Sequence, residues 1–236
     1  MQVLENRALR DRVEVFVDRA GAGRELARLV RESGEAPATI LAIPAGGVPV
    51  AVAMASELGW PLDVAVVSKI VLPWNTEAGF GAVAFDGHVL LNDALVRHCE
   101  LSEQQVATGI QNTRFKVARR HRRLHGPETL ELSGTSVVLV DDGLASGFTM
   151  LAAIAACRRA GARRLLLALP TGHTQAVERV ASQVDLVICA NIRGGSRFAV
   201  ADAYERWGDV PEAQAELALE RHRATHPDRG ESLSST

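Results

Sequence analysis

The chain has 236 residues, 47% of them hydrophobic, and a formal net charge of -2 at pH 7. That length suits one α/β domain with a sizeable core, and the nearly balanced charge gives no general reason to expect nucleic acid or a membrane as a partner. The apolar runs are shorter than the roughly 18 residues of a membrane span, and residues 1–12 lack the apolar stretch of a secretory signal. We therefore expect a cytoplasmic protein.

The first part of the chain predicts alternating helices and strands. Apolar residues recur every three or four positions over 18–31, which indicates an amphipathic helix. An apolar run at 39–43 predicts a strand, and residues 48–58 predict a helix that ends at Gly59. Residues 62–67 predict a second strand.

An irregular loop and a hairpin are expected next. Residues 70–79 predict the loop, and residues 81–85 and 88–91 predict the two strands of the hairpin. They are joined by Asp86-Gly87, which accepts the positive φ angles of a two-residue turn. This hairpin would form a small antiparallel flap.

In the second half of the chain, the predicted strands and helices alternate regularly. Ser102 and Gln105 predict a capping box for a long helix that ends near His125. Further strands are expected at 136–140, 163–169 and 185–190, and further helices at 148–160, at 174–182 and after Asp209. The strands are almost continuous runs of Val, Leu and Ile, which is typical of parallel strands buried on both faces.

These elements predict an α/β fold. We expect a single domain with a central, mainly parallel sheet flanked by helices, together with a small flap and hood. The domain would span residues 1–210, followed by a C-terminal helix at 211–227. The last segment, 228–236, is rich in Gly and Ser and is expected to be disordered.

The stretch VVLVDDGLASGFT at 137–149 carries the clearest chemistry. A buried strand leads into Asp141 and Asp142, at the strand end where open α/β sheets bind ligands. A glycine-containing turn with hydroxyl groups then opens a helix whose free amides can hold a phosphate. Carboxylates repel a phosphate unless hydroxyl donors or a metal ion intervene, and a phosphorylated sugar with magnesium supplies both.

This stretch resembles the signature of type I phosphoribosyltransferases that binds 5-phosphoribosyl-1-pyrophosphate (PRPP). The resemblance implies that Asp141 and Asp142 contact the ribose 2′ and 3′ hydroxyls. It also implies a 5′-phosphate loop made of Ala145, Ser146, Gly147, Phe148 and Thr149. The residues alone leave two alternatives, which are the strand end of a receiver-like signalling fold and a pair of acids that only caps a helix.

A second turn, residues 44–49, also follows a buried strand and opens a helix. The family places its pyrophosphate loop here, which implies that Ala45, Gly46 and Gly47 surround the leaving group. Family members often have a basic residue at the position of Ala45, so the resemblance implies one charge fewer in this chain. By itself, a Gly-Gly turn more often marks an ordinary tight turn.

Lys69 follows the strand predicted at 62–67. The resemblance implies that Lys69 lies near the pyrophosphate and takes part in catalysis with the two acids, and a solvated surface lysine is the alternative. Residues 75–77 and the flap at 86–88 occupy the position of the family's mobile loop. That loop keeps water away from a transition state resembling an oxocarbenium ion.

Two apolar residues after the last predicted strand are candidates for the acceptor site. The resemblance, which covers residues 18–207, implies that Ile192 and Phe198 belong to a C-terminal hood that holds the acceptor. Packing of Phe198 in the core is the alternative.

A basic run lies on the long predicted helix and consists of Arg114, Lys116, Arg119, Arg120, Arg122 and Arg123. It is compatible with a nucleic-acid surface, a solvated face or a dimer contact. We do not expect nucleic acid as a partner, because we expect no aromatic residue beside these side chains on which bases would stack.

The resemblance as a whole implies an Mg²⁺-dependent enzyme. It would transfer the 5-phosphoribosyl group from PRPP to a nitrogenous base or related acceptor, release pyrophosphate, and work as a homodimer. A non-catalytic sensor of PRPP or a nucleotide on the same fold is the alternative, favoured by Ala45 and the basic helix.

Overall fold

The chain forms two separate sheets in the computed structural model, which describes residues 2–226. In chain order the strands are β1 (Val3–Leu4), β2 (Thr39–Ala42), β3 (Leu62–Val64), β4 (Val67–Leu72), β5 (Asn75–Ala84), β6 (Val89–Leu91), β7 (Ser136–Val140), β8 (Arg164–His173) and β9 (Leu186–Arg193). The central sheet has six parallel strands in the order β1-β9-β8-β7-β2-β3. The smaller sheet is antiparallel, in the order β4-β5-β6.

Helices connect and cover these strands. They are α1 (Arg19–Ser33), α2 (Gly47–Leu58), α3 (Asp93–His98), α4 (Glu103–Leu124), α5 (Phe148–Arg159), α6 (Thr174–Ala181) and α7 (Glu212–Thr225). The predicted fold class is therefore confirmed, with a central parallel sheet flanked by helices and a small antiparallel sheet. Within residues 2–226, every helix is too short or too polar to cross a membrane.

Alternation of side chains along the central strands separates two cores. Val138 and Val140 of β7 pack in the cluster that contains Leu26 of α1 and Met54 of α2. Their neighbours on β7, Val137 and Leu139, pack in the cluster on the other face, with Met150 of α5. Because neighbouring residues of a strand point to opposite faces, one run of apolar residues fills both layers.

The order of the central strands creates a crevice between β2 and β7. These two strands are neighbours, with Ala42 opposite Val140. From β2 the chain continues to β3 on one side, whereas from β7 it continues to β8 on the other side. Such a reversal of strand order is where open α/β sheets bind ligands, beyond the carboxyl ends of the strands.

Helix boundaries follow the sequence signals closely. The side chain of Asp18 caps α1 by accepting from the Gly21 N–H, and α2 ends at Gly59 in the left-handed conformation. The predicted capping box of α4 is confirmed, with both the Ser102 and the Gln105 bonds present. Side-chain capping at the helix starts, and a glycine that adopts the left-handed conformation at the end of α2, are the physical reasons that these ends could be predicted.

Two predictions between residues 62 and 79 are wrong. The strand predicted at 62–67 is two strands, since β3 ends at Val64 and β4 begins at Val67 in the other sheet. The loop predicted at 70–79 is the end of β4 and the start of β5, with irregular pairing between them. Packing of Ile70 and Phe80 against Gly109 of α4 stabilises this pairing, and local sequence does not report such tertiary packing.

The predicted hairpin exists, but its turn differs from the expected one. Of the two turn residues, Gly87 takes the positive φ, 78°, and its N–H donates to the Ala84 carbonyl. The arrangement corresponds to a longer hairpin loop with a glycine in the left-handed region, which is the next most common type. The Asp86 carboxylate accepts hydrogen bonds from the His88 N–H and from the Arg159 side chain.

Some of the remaining elements were not predicted or are longer than predicted. The short helix α3 was not predicted, and both β8 and β9 continue past their predicted ends through residues 170–173 and 191–193. The helix α7 begins shortly after residue 210, but the domain boundary placed there stays a prediction. The tail at 228–236 lies outside the described residues.

Candidate active site

The two predicted anion-binding turns lie against each other at the β2/β7 crevice. A Cβ atom on Gly46 would overlap the Oδ2 atom of Asp142 and lie 2.7 Å from its Cγ, and one on Gly47 would lie 2.9 Å from the Cα of Asp141. Any side chain at either glycine would therefore displace the acids. The paired glycines allow the two turns to approach each other closely, and their assignment to a pyrophosphate loop stays a prediction.

Asp141 and Asp142 occupy different environments. The Asp142 N–H donates to Oδ1 of Asp141 at 2.9 Å. Burial, together with the neighbouring Asp142 carboxylate, raises the pKa of Asp141 well above its ordinary value. The side chain of Asp142 is 16% exposed and forms an ion pair with Arg19, whose Nε donates to Oδ2 at 2.9 Å. One acid is thus paired with a cation, whereas burial and the neighbouring carboxylate make the other harder to ionise.

Arg19 joins the acids to the segment after β9. It is the first residue of α1 and is 11% exposed. Its second nitrogen, Nη1, donates to the Gly208 carbonyl at 2.9 Å, and its guanidinium carbon lies 3.8 Å from the ring centroid of Trp207. Tyr204 adds a further link, because its hydroxyl donates to the backbone carbonyl of Asp142 at 2.6 Å. Tyr204, Trp207 and Gly208 therefore form one wall beside the acids.

Sequence analysis missed both Arg19 and Tyr204. Arg19 and Asp142 are 123 positions apart, so the sequence contains no spacing that relates them. Asp18 indicates only that Arg19 begins a helix. Tyr204 is the single tyrosine of the chain, but the sequence does not show which residue it contacts.

The predicted 5′-phosphate loop opens α5. Gly147 caps this helix with a φ of 76°, and in the described structure neither α5 nor α2 has a side-chain capping bond. The Ser146 hydroxyl accepts from the Phe148 N–H at 3.4 Å, while Ala145 and Ser146 are exposed and Thr149 is half-buried. In α2, by contrast, the Gly47 N–H donates to the Ile43 carbonyl and the Val48 N–H donates to the Ala45 carbonyl. Amides without an intrahelical partner at the start of a helix can bind anionic groups.

Lys69 and the Asp86-Gly87 turn belong to the smaller antiparallel sheet, whereas the two predicted anion-binding turns follow strands of the central sheet. Lys69 is exposed within β4, opposite Ala82, rather than at the end of a parallel strand. The Asp86-Gly87 turn is fixed to the helices, because Asp86 pairs with Arg159 at 2.8 Å and Arg114 donates to the Gly87 carbonyl. The catalytic and pyrophosphate assignments of Lys69 therefore remain predictions.

The two acceptor candidates lie on the β9 side of the sheet. Ile192 is 5% exposed and packs in the core, while Phe198 is half-buried, with its ring centroid 5.0 Å from the Arg193 guanidinium carbon and 5.6 Å from the His173 ring. A cavity of about 590 Å³ lies beside His173 at the carboxyl ends of β8 and β9. It is lined by His173, Thr174, Gln175, Gly194, Gly195 and Ser196. The cavity is separate from the acids, and the acceptor assignment stays a prediction.

Two arginines of the basic run on α4 form ion pairs with acidic residues of α7. Arg120 is buried and its Nε donates to Glu212 at 2.9 Å, while Arg123 donates to Glu216 at 2.8 Å. The expectation that no aromatic residue accompanies the run is wrong, since Phe115 is 73% exposed on the same helix. Arg120 therefore belongs to the packing between α4 and α7 rather than to a free basic face.

Comparison with known proteins identifies the family. The model of the phosphoribosyl transferase domain matches residues 94–202. Two Mycobacterium tuberculosis proteins, from strains CDC 1551 and H37Rv and named as candidate phosphoribosyl transferases, are each 37% identical over 214 residues, or 89% of this chain. The chain belongs to the phosphoribosyltransferase family. The resemblance of the 137–149 stretch is thereby confirmed, and the receiver-like alternative is not supported.

A solved structure is similar to this chain over most of its length. The crystal structure of TT1426 from Thermus thermophilus is 32% identical, with a TM-score of 0.70. The match covers 87% of this chain and 98% of that one. By contrast, this chain covers 48% of each Mycobacterium protein, so it spans about half the length of the curated relatives it matches.

Proposed function

We propose that this phosphoribosyltransferase binds PRPP with magnesium in the β2/β7 crevice and transfers its 5-phosphoribosyl group to a nitrogenous acceptor, releasing pyrophosphate. The contact between the two turns carries the proposal. Gly46 and Gly47 lie directly against Asp142 and Asp141, so one ligand can touch both turns at once. PRPP suits this arrangement because it carries phosphoryl groups at both ends of a ribose, with hydroxyls between them.

Each part of the crevice then has one role. The amides at residues 145–149 would bind the 5′-phosphate. In the turn after β2 the Gly47 N–H already donates to the Ile43 carbonyl, so the amides of Ala45 and Gly46 would bind the pyrophosphate. Asp141 and Asp142 would accept hydrogen bonds from the ribose hydroxyls and stabilise positive charge that develops on the ribose. Excluding water would protect the cationic sugar until the acceptor nitrogen attacks the anomeric carbon.

Magnesium fits this site as part of the ligand. Among residues 2–226, no group of three or more His, Cys, Asp or Glu side chains is arranged to hold a metal ion. Magnesium commonly keeps few protein ligands and binds substrate phosphates, so the pyrophosphate and ribose oxygens would hold it beside Asp141 and Asp142. When bound, it would neutralise part of the charge on the leaving pyrophosphate.

The decisive experiment is a panel of acceptors. Purified protein is incubated with PRPP, magnesium and each of several purines, pyrimidines and related bases, and released pyrophosphate is measured. We expect release with at least one base and much less with the Asp142→Asn variant. Release from no base, despite binding of magnesium-PRPP, would contradict the transferase proposal.

A non-catalytic sensor of PRPP is the second candidate. Ala45 favours it, because an apolar side chain in the pyrophosphate turn adds no charge that would stabilise a leaving group. The buried pairing of Arg120 with Glu212 removes part of its other support, since the basic helix is less free to bind a partner. Binding without turnover would distinguish the sensor.

The homodimer and the cytoplasmic location remain predictions.

A further inference from the structure

Arg19 contacts the proposed ribose site although the family resemblance assigns it no role. Its Nε donates to Oδ2 of Asp142, its Nη1 donates to the Gly208 carbonyl, and its guanidinium lies over the face of Trp207. Three different neighbours thus fix one planar group. A guanidinium is suited to such a place because it can donate in two directions while stacking on an aromatic ring.

The contact leaves one carboxylate oxygen of Asp142 for a ligand. Arg19 binds Oδ2, which is also the oxygen nearest to Gly46. In the part of the chain that the structure describes, no nitrogen donor is assigned to Oδ1, and the neighbouring Asp141 carboxyl lies close enough to share a hydrogen bond with the Asp142 carboxylate. Both the arginine and the glycine turn therefore restrain the carboxylate at Oδ2.

We propose that Arg19 is a positioning residue for phosphoribosyl transfer, holding the Asp142 carboxylate by Oδ2 so that Oδ1 accepts a ribose hydroxyl of bound PRPP. This inference rests on the proposed function. Arg19 also offsets one of the two carboxylate charges next to a highly anionic ligand. Because both partners are largely shielded from water, this charge pairing is screened less than a surface pair would be.

The opposite role is conceivable and predicts the opposite result. If Arg19 instead occupied Asp142 and blocked it, removal of the arginine would free the carboxylate and tighten ligand binding. A purely structural link between α1 and residues 204–208 would change the melting temperature without changing binding at the acids. The sign of the effect on binding separates the three roles.

The test compares Arg19→Met with a matched control, Arg206→Met. Arg206 links the same two segments through Asp18, but it is 71% exposed and does not contact the acids. Calorimetric titration with magnesium-PRPP is expected to show at least about tenfold weaker binding for Arg19→Met, the scale of a lost charge-assisted hydrogen bond. Binding by Arg206→Met should stay within about twofold of the wild type, as expected for an exposed ion pair.

A double-mutant cycle sharpens the result. In an Asp142→Asn background, Arg19→Met should weaken binding by much less than it does alone, because the carboxylate that Arg19 positions is gone. Arg19→Lys should not restore binding, since an ammonium group cannot reach Asp142 and Gly208 while stacking on Trp207. Additive effects of the two substitutions would overturn the positioning role.

The outcomes remain distinguishable from failure of the proposed function. If the wild type does not bind millimolar magnesium-PRPP, the proposed function itself fails and this inference falls with it. If the wild type binds and Arg19→Met binds equally well or more tightly, only the positioning role is overturned. Should Arg19→Met not fold, Trp207→Leu decides, because losing the stacked ring is expected to weaken binding about threefold, and unchanged binding would overturn the role.

Discussion

The turns after β2 and β7 meet at one crevice, but they offer different chemical groups to it. The turn after β7 carries two acids, a hydroxyl group at Ser146 and a glycine with positive φ. The turn after β2 presents Ala45 and two glycines, so its contribution is backbone amides and the absence of side chains. In the proposed site, the missing side chains of the two glycines would therefore matter as much as the groups that the acids carry.

The largest effect is expected where a side chain would enter the turn after β2. Gly46→Ala should abolish binding of magnesium-PRPP and lower the free energy of unfolding by about 1–3 kcal/mol, the usual cost of forcing extra atoms into a packed place. Gly46 has an ordinary helical φ of -60°, so crowding against Asp142 is the sole cause. Urea unfolding and calorimetric titration measure the two effects.

Gly21→Ala is the matched control for that substitution. Gly21 lies within α1, and an added Cβ would meet its nearest neighbour at 3.5 Å, an ordinary contact. The change should stabilise the protein by roughly 0.5–1 kcal/mol, because alanine favours helices more than glycine does. If Gly46→Ala bound ligand as well as Gly21→Ala, the close contact between the turns would not matter for function.

The next effect concerns the acids of the turn after β7. Asp141→Asn and Asp142→Asn should each weaken use of PRPP by about tenfold or more while the fold is retained, since each removes a charged hydrogen-bond acceptor worth about 1.5–3 kcal/mol. Asp142→Asn should show the greater loss because it also releases Arg19. Steady-state kinetics or ligand titration checks both, and wild-type behaviour in both variants would reject the ribose assignment.

The smallest effect is on stability without ligand, and it should differ in sign between the two acids. The pKa of Asp141 is raised in the folded chain, so folding favours its protonated form, and the wild type loses stability as pH rises from about 3.9 through the raised pKa. Asp141→Asn should therefore be more stable than the wild type at pH 7.5, with the advantage shrinking as pH falls toward 4. Urea unfolding at several pH values measures it.

Asp142→Asn provides the contrast in the same experiment. It leaves the buried Arg19 guanidinium without its carboxylate partner, so it should lower the free energy of unfolding at pH 7.5. A destabilised Asp141→Asn variant at pH 7.5 would show that the two acids do not differ as the structure indicates.

Sequence predicted the central sheet well because its signals are local. Strand, turn and helix follow one another within a few residues at both β2 and β7, and Gly59, Ser102 and Gln105 mark helix ends by their own backbone or side-chain chemistry. The predictions between residues 62 and 79 failed for a physical reason. Residues 62–67 contain no Gly or Pro, so nothing in the sequence shows that the chain leaves one sheet after Val64 and enters another at Val67.

The site was predictable only where one segment carries the chemistry. Asp141 and Asp142 stand beside their loop in the sequence, whereas Arg19 reaches Asp142 through the packing of α1 and residues 204–208. Lys69 shows the reverse case, because a residue expected at a strand end lies in the middle of β4. Contacts between distant segments depend on the tertiary fold, and one sequence does not specify them.

Thermal unfolding with ligand tests the central claim most directly. The protein is scanned with PRPP, with ribose 5-phosphate and with buffer, each with magnesium or with EDTA. Magnesium-PRPP at about a hundred times its dissociation constant should raise the midpoint by roughly 5–10 °C, because it binds only the folded crevice. Ribose 5-phosphate should give a smaller shift, since it leaves the turn at residues 45–47 empty, and EDTA should reduce the PRPP shift. No shift with millimolar magnesium-PRPP would contradict the proposed site.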